Sequence, residues 1–319
     1  MSRYQFRIMN VVILSTLGFQ ICVFSFLLLL TSASVDFASG PHFAFVFGFL
    51  ATIHIGYRTV VDRPQVRLAV QCLAAMLFTT IMGGATAIVA LGLELPFIDP
   101  WLAQADRTLG YDPEALVLGL KRVPYAIPTI FFGYDKIDRA LILAVVGLAG
   151  LGRSDRVREL CLIYVVTLAF ACTVSIVLPA QGAFLHLPIS EEMKRALPAG
   201  SGVYHLGVLD AWRSGAVRTL DLGRLPGVVT FPSFHTAMAL MLAWSVRGIP
   251  WVRWPTILFA AAALGGVLPI GGHYFVDVIG GAVCFAAAAW LAREVARDRQ
   301  LPPAPRNLLD SRGVSVLPR

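Results

Sequence analysis

Long apolar runs, all but the last without charge, dominate the chain. They occupy residues 9–31, 40–57, 68–93, 160–178, 254–272 and 274–291, and at about 1.5 Å of helical rise per residue most of them can cross a hydrocarbon core of about 30 Å. Two further stretches are less regular. Residues 140–152 are short and follow the charged segment Tyr134-Asp-Lys-Ile-Asp-Arg139, while 225–246 is interrupted by Phe231-Pro-Ser233. The pattern predicts an all-α polytopic membrane bundle of about eight transmembrane helices. The first run follows Arg3 and Arg7 and precedes Ser32-Ala-Ser34, as a secretory signal would. Its length exceeds an ordinary signal core, so it is read as an uncleaved helix.

Composition agrees with the pattern. Of 319 residues, 57% are apolar and 14% charged, with a mean hydropathy of +0.73, whereas soluble domains carry about a quarter charged residues. Soluble enzyme folds are thereby excluded. The net charge of +7 follows the positive-inside rule when both termini are cytoplasmic: sixteen basic and six acidic residues then lie inside, against ten basic and twelve acidic outside. The charge therefore points to the membrane and away from nucleic acid as a partner. A composition rich in Ala, Gly and Arg suggests a bacterial plasma membrane. The five cysteines stand singly in apolar runs, at neither metal nor redox spacing. One acidic residue remains, Asp277, inside the last apolar run.

A carboxylate in hydrocarbon needs a partner, and His273 lies four residues earlier, on the same helical face. The pair reads equally as a polar contact between helices or as a catalytic couple in which the Asp holds one ring nitrogen and the other points outward. Phe231-Pro-Ser-Phe-His-Thr236 reads as a helix entrance, with Ser233 as cap and His235 in the first turn, where free amides can receive an anion. On the assigned topology His235 and His273 reach the same outer side. A helix from Ser233 to Val246 would span about 21 Å, which sinks the site below the outer surface, within reach of a lipid head group. Gly271 and Gly272 before His273, and Gly280 and Gly281 after Asp277, permit close backbone approach, the second pair for helix packing.

These residues carry a resemblance. Phe231-Pro-Ser-Phe-His-Thr236 followed by Gly271-Gly-His-Tyr-Phe-Val-Asp-Val-Ile-Gly-Gly281 resembles the second and third signature motifs of the type-2 phosphatidic acid phosphatase superfamily. More narrowly it looks like the branch related to inositol-phosphorylceramide synthase, and its His-Tyr-x-x-Asp-Val form is similar to sphingomyelin synthases. The resemblance covers roughly 101–291. It implies a six-helix phosphatase-like core, with His273 as nucleophile forming a phosphohistidine, Asp277 as its orienting partner and His235 as general acid, then base. It implies no metal and no cofactor.

Two features depart from the family. With its proline aligned on Pro179, the first motif's Lys and Arg fall on Ala171 and Leu178, and the Ser-Arg that opens the third motif is replaced by Gly266-Val267. A transferring phosphoryl group still needs donors. Arg213, Arg218, Arg224 and Gln181 of the outer loop 179–231, with Ser233 and Gly272, are the expected phosphate-binding set.

The expected organisation is an N-terminal three-helix segment (1–93), a phosphatase or phosphotransferase core (94–292) and a cytoplasmic tail (293–319). The expected function is a lipid phosphatase or phosphotransferase acting outside the membrane on a lipid phosphate or phosphorylated head group. A proton-coupled transporter, or a non-catalytic scaffold with this fold, is the alternative.

Overall fold

A computed structural model describes residues 3–59 and 62–297, so the tail beyond Arg297 lies outside the described residues. Helices α1 (Arg3–Thr31), α2 (Pro41–Thr59) and α3 (Pro64–Ala90) come first, followed by two short ones, α4 (Asp99–Thr108) and α5 (Pro113–Lys121). Then come α6 (Ala126–Gly150), α7 (Ser154–Val177), the short α8 (Glu191–Ala196) and α9 (Leu206–Arg213), and finally α10 (Phe234–Ser245), α11 (Pro250–Val267) and α12 (Phe275–Ala296). A helix forms in each of the eight apolar stretches, and the fold is all-α apart from one parallel pair, β1 (Ser34–Asp36) with β2 (Thr219–Asp221). The chain is a multi-pass membrane protein by the composition of these helices. Taken singly, α1, α3, α7 and α12 are long and apolar enough to cross a bilayer. The pair α5 and α6, bent by 113°, gives a fifth candidate.

Two boundaries differ from the sequence reading. Helix α6 begins at Ala126, not at Ala140, so the charged segment 134–139 is helical. Its charges are tolerated because they pair along the helix, Asp135 with Lys136 and with Arg139 at 3.9 Å, and because they face a cavity. Helix α10 is shorter than the predicted 225–246, because residues 225–232 run as an irregular strap onto it and Phe231–Pro232 is a cis peptide.

Helix α7 is the hub, packed on α1, α3, α6, α10 and α12. Its side chains from Leu160 to Val165 are nearly all buried. With α6, α10, α11 and α12 it forms one packed bundle, and α3, from the segment expected to precede the core, packs on both α6 and α7. Helices α6 and α11 approach through glycines: a Cβ on Gly133 would stand 2.6 Å from the Ala263 amide nitrogen, and one on Gly266 would stand 2.7 Å from the Ile130 carbonyl oxygen. Small residues at such crossings are how apolar helices gain contact in lipid, where no water drives them together. Helix α2 buries none of its side chains.

The starts of α6, α10 and α12 share one end of the bundle with the ends of α1, α3, α7 and α11. The short helices and the β pair cap that end, through bonds such as Ile98 N–H to Pro179 O (2.9 Å) and Gly202 N–H to Ile270 O (2.9 Å). Exposed Trp101 and Tyr125 ring this end, and exposed Trp251, Trp254 and Trp290 the other. Aromatic belts of this kind sit at the two membrane–water interfaces.

Candidate active site

Both predicted motifs become helix starts at the capped end. Ser233 is the N-cap of α10, its Oγ accepting from the Thr236 amide at 3.4 Å. His235 follows in the first turn, where the Phe234 and His235 amides precede the first helical bond, Ala237 N–H to Ser233 O. The ring of Tyr134 on α6 stacks on His235, with centroids 4.1 Å apart and planes within 16°.

Tyr274 caps α12, and the turn before it carries His273. Asp277 Oδ2 accepts the Tyr274 amide at 2.9 Å and stands 3.1 Å from His273 Nδ1. That geometry fixes the tautomer: the carboxylate draws the proton to Nδ1 and leaves a lone pair on Nε2. Nε2 points toward Ser233 Oγ, 3.4 Å away. His273 and His235 face each other with ring centroids 6.5 Å apart. A direct bond, Ser233 N–H to Asp277 O at 3.0 Å, locks the two helix starts together. Gly281 makes this contact possible, since a Cβ there would stand 2.1 Å from the Ser233 carbonyl oxygen.

Two carboxylates that the sequence reading placed in solvated outer segments are fully buried beneath this turn. Asp106 on α4 accepts the Phe275 and Val276 amides at 2.8 and 3.0 Å, so with Asp277 it satisfies the free amides of α12's first turn. Burial raises the Asp106 pKa and those two amide bonds oppose the rise. Asp99 accepts the Gln181 and Gly182 amides at 2.9 and 3.0 Å and the Tyr274 hydroxyl at 2.9 Å. It thereby ties the outer loop to the turn that carries His273. Their only sequence signal was an acidic residue on a short helix, Asp99 in its first turn and Asp106 near its end; the partners lie 82 to 175 residues away. Asp99→Ala, which strands three donors, is expected to cost roughly 2–4 kcal/mol of stability, and Asp99→Asn, which keeps one oxygen, less. Thermal unfolding of the purified protein in detergent checks the order.

The expected phosphate-binding set is brought together only in part. Ser233 is at the site. The Gly272 amide is already bonded to Leu268 O at 3.1 Å, and the residue, at φ +68°, packs so closely that a Cβ would meet Gly202 Cα at 2.4 Å; it shapes the turn. Gln181 builds the loop: its carbonyl accepts from His205 Nε2 at 2.7 Å and its side-chain oxygen pairs with His186 at 3.2 Å. Burial lowers the His205 pKa, which suits a neutral ring donating from Nε2. Arg213 donates to the Leu95 and Glu94 carbonyls at 2.8 and 3.3 Å and covers the Phe97 ring. Arg218 donates to the Trp212 carbonyl and to Glu94. Arg224 follows the β2 turn, its amide bonded to Asp221 O at 3.1 Å. Loop arginines are satisfied by whichever carbonyls the loop folds beside, and sequence spacing does not reveal those.

A different arginine, Arg139, lines a cavity that His235 also lines. That cavity, of about 570 Å³, opens beside His235 and is lined by Tyr134, Tyr204, Asp135, Asp138 and Arg139 among others. The Arg139 side chain is 61% exposed and 3.9 Å from Asp135, so its guanidinium is available to a ligand. The reading that ended the charged segment before the helix missed it.

The family comparison agrees with the architecture. The PAP2 superfamily model matches residues 100–291. No curated protein and no solved structure matches the chain. The match covers more than half of the sequence and both motifs, and the chain belongs to the PAP2, or type-2 phosphatidic acid phosphatase, superfamily.

Proposed function

We propose that the protein is a membrane-embedded lipid phosphotransferase or phosphatase that works through a phosphohistidine on His273. Superfamily membership supports a phosphatase-type activity. The observation that carries the finer reading is the Asp277–His273 couple, whose Nε2 faces Ser233 Oγ at 3.4 Å while the His235 ring stands 6.5 Å away, centroid to centroid.

In the first step Nε2 of His273 attacks phosphorus, the bond from phosphorus to the leaving oxygen breaks, and protonated His235 gives that oxygen its proton. In the second step neutral His235 takes the proton of an acceptor hydroxyl whose oxygen attacks phosphorus, and the P–N bond breaks. Asp277 keeps the Nδ1 proton in place and balances the charge on the ring in between. The α10 amides, Ser233 Oγ and Arg139 face the phosphoryl oxygens. Tyr134 holds His235 at its angle by stacking.

The cavity wall bears on the substrate. Asp135 and Asp138 stand beside Arg139, and two carboxylates next to a dianionic phosphomonoester repel it in a low-dielectric site. A phosphodiester, with one negative charge and a polar head group for the carboxylates to hold, fits better. That supports head-group transfer over removal of a bare phosphate. The excess of basic residues in the segments at the other end supports an orientation with this end outside the membrane and both termini inside.

Purified protein in lipid, offered phosphatidate, an isoprenyl diphosphate, or phosphatidylinositol with ceramide or diacylglycerol, separates the possibilities. A new phosphorylated lipid without free phosphate is expected. Inorganic phosphate as the only product would make it a phosphatase. Turnover undiminished by loss of His273 would defeat the reading. Arg139→Gln is expected to lower kcat/KM by about 10²-fold, the scale for one lost charge-stabilising donor, with Arg213→Gln near wild type in the same assay.

A further inference from the structure

The catalytic cavity has a neighbour. Between the elbow that joins α5 to α6 and the end of α8 lies a second cavity of about 490 Å³, a size that receives a substantial part of a lipid. Pro124 and the left-handed Tyr125 (φ +62°) interrupt the helix at this elbow, and α5 and α6 are bent by 113° around it. The two cavities share their walls. Phe131 lines both, and on one face of α6 the series Ile127 and Phe131 continues, turn by turn, into Asp135 and Asp138 of the catalytic cavity. The facing wall is equally continuous: residues 196–198 line the outer cavity and residues 199–201 the catalytic one. Tyr134, whose ring stacks on His235, is about 4.5 Å along the helix from Phe131. The linings differ in charge. The catalytic cavity presents Asp135, Asp138 and Arg139, whereas the outer one has a single charged residue, Lys121, whose ammonium is closed by Glu192 at 3.0 Å. The rest of the outer lining is apolar apart from the exposed Tyr125, at the level of the aromatic belt.

We propose that the outer cavity binds an uncharged lipid alcohol of the diacylglycerol kind, with a chain between Ile127 and Ala196 and its hydroxyl directed past Phe131 toward His235. The proposal rests on the transfer reading above. There an acceptor hydroxyl gives its proton to neutral His235 while its oxygen bonds to phosphorus and the P–N bond to His273 breaks. Three observations select the occupant. A lining whose one cation is already paired offers nothing to a second phosphate, and it penalises a ligand that brings an unmatched charge. The cavity lies at the membrane–water level of the capped end, where the hydroxyl of a lipid alcohol resides, and its apolar walls suit the chain. The shared wall at Phe131 leads from this cavity to the His235 ring within about one further turn of α6.

Photolabelling tests the site without requiring turnover. The full chain with His273→Ala, which prevents consumption of the probe, is placed in phosphatidylcholine nanodiscs with a diacylglycerol that carries a diazirine in one acyl chain. It is then irradiated, digested and mapped. Label is expected in residues 120–131 and 196–198. Excess unlabelled diacylglycerol should reduce it about tenfold, and the same excess of phosphatidate should leave it unchanged. Label on α2, which buries none of its side chains, should respond to neither. Ile127→Trp and Ala196→Trp fill the cavity from its two walls, and each is expected to lower the competed label about tenfold. Both positions are half-buried, and either variant decides the matter if the other does not fold. Equal competition by phosphatidate would overturn the proposal, as would label unchanged in the folded variants. Failure here is distinct from failure of the catalytic reading. A competed label in a protein whose wild-type form never phosphorylates His273 would keep the site and defeat the transfer mechanism, whereas a phosphorylated His273 without competed label would do the reverse.

Discussion

Replacing His273 with alanine is expected to lower turnover by about 10⁴-fold or more. The ring combines a proton oriented by Asp277 on Nδ1 with an Nε2 that faces Ser233 Oγ at the start of the other motif's helix. Without it the two-step route is closed, and what remains is binding and charge stabilisation, which in enzymes that lose a nucleophile still leave a residual rate of about 10³–10⁴ over water. The same variant should fold. His273 lies in the turn before α12, and the carboxylates of Asp106 and Asp277 that cap the helix accept backbone amides, not the imidazole alone. Activity against a phosphodiester lipid, beside a thermal unfolding curve, separates loss of chemistry from loss of structure.

Asp277→Asn is expected to be the next most severe change, lowering kcat by about 10²–10⁴-fold. Oδ2 serves two donors, the Tyr274 amide at 2.9 Å and His273 Nδ1 at 3.1 Å. An amide oxygen can still cap the helix, but it neither stabilises an imidazolium nor enforces the Nδ1 proton, and an NH2 turned toward the ring selects the wrong tautomer. The signature is a fall in kcat with little change in KM and a small change in unfolding temperature. A substantial drop in unfolding temperature with kcat preserved would show that the carboxylate acts as a cap alone.

The parts of the molecule that were legible in the sequence are those written in local pattern. Eight apolar stretches predicted eight helices, and the spacing of His273 and Asp277 anticipated a contact that forms at 3.1 Å. Gly280 and Gly281, read as packing residues, do pack: the strap 231–233 lies against them. What local pattern could not show were partners set by tertiary folding. Asp99 and Asp106 looked like ordinary charges of an outer segment, yet the turn they support lies some 170 residues downstream. Arg139 was hidden for a different reason. Four charges within six residues read as a boundary between water and lipid, whereas on α6 three of them, Asp135, Asp138 and Arg139, line a cavity and the helix runs on through them. Arg213 and Arg218 erred in the opposite direction. Their loop position suggested freedom to meet a phosphate, but their guanidinium groups are taken by carbonyls and Glu94 around the start of the segment that leads to α4.

The covalent intermediate is the point on which the account turns. Protein mixed with a phosphorus-labelled phosphodiester lipid, quenched in alkali during the first turnover and digested for peptide mapping, should carry the label on His273 as an acid-labile, alkali-stable phosphoramidate. Asp277→Asn should carry less of it under the same quench. Wild-type protein that forms product within the quench interval while His273 remains unlabelled would contradict the account, and direct transfer to the acceptor would take its place.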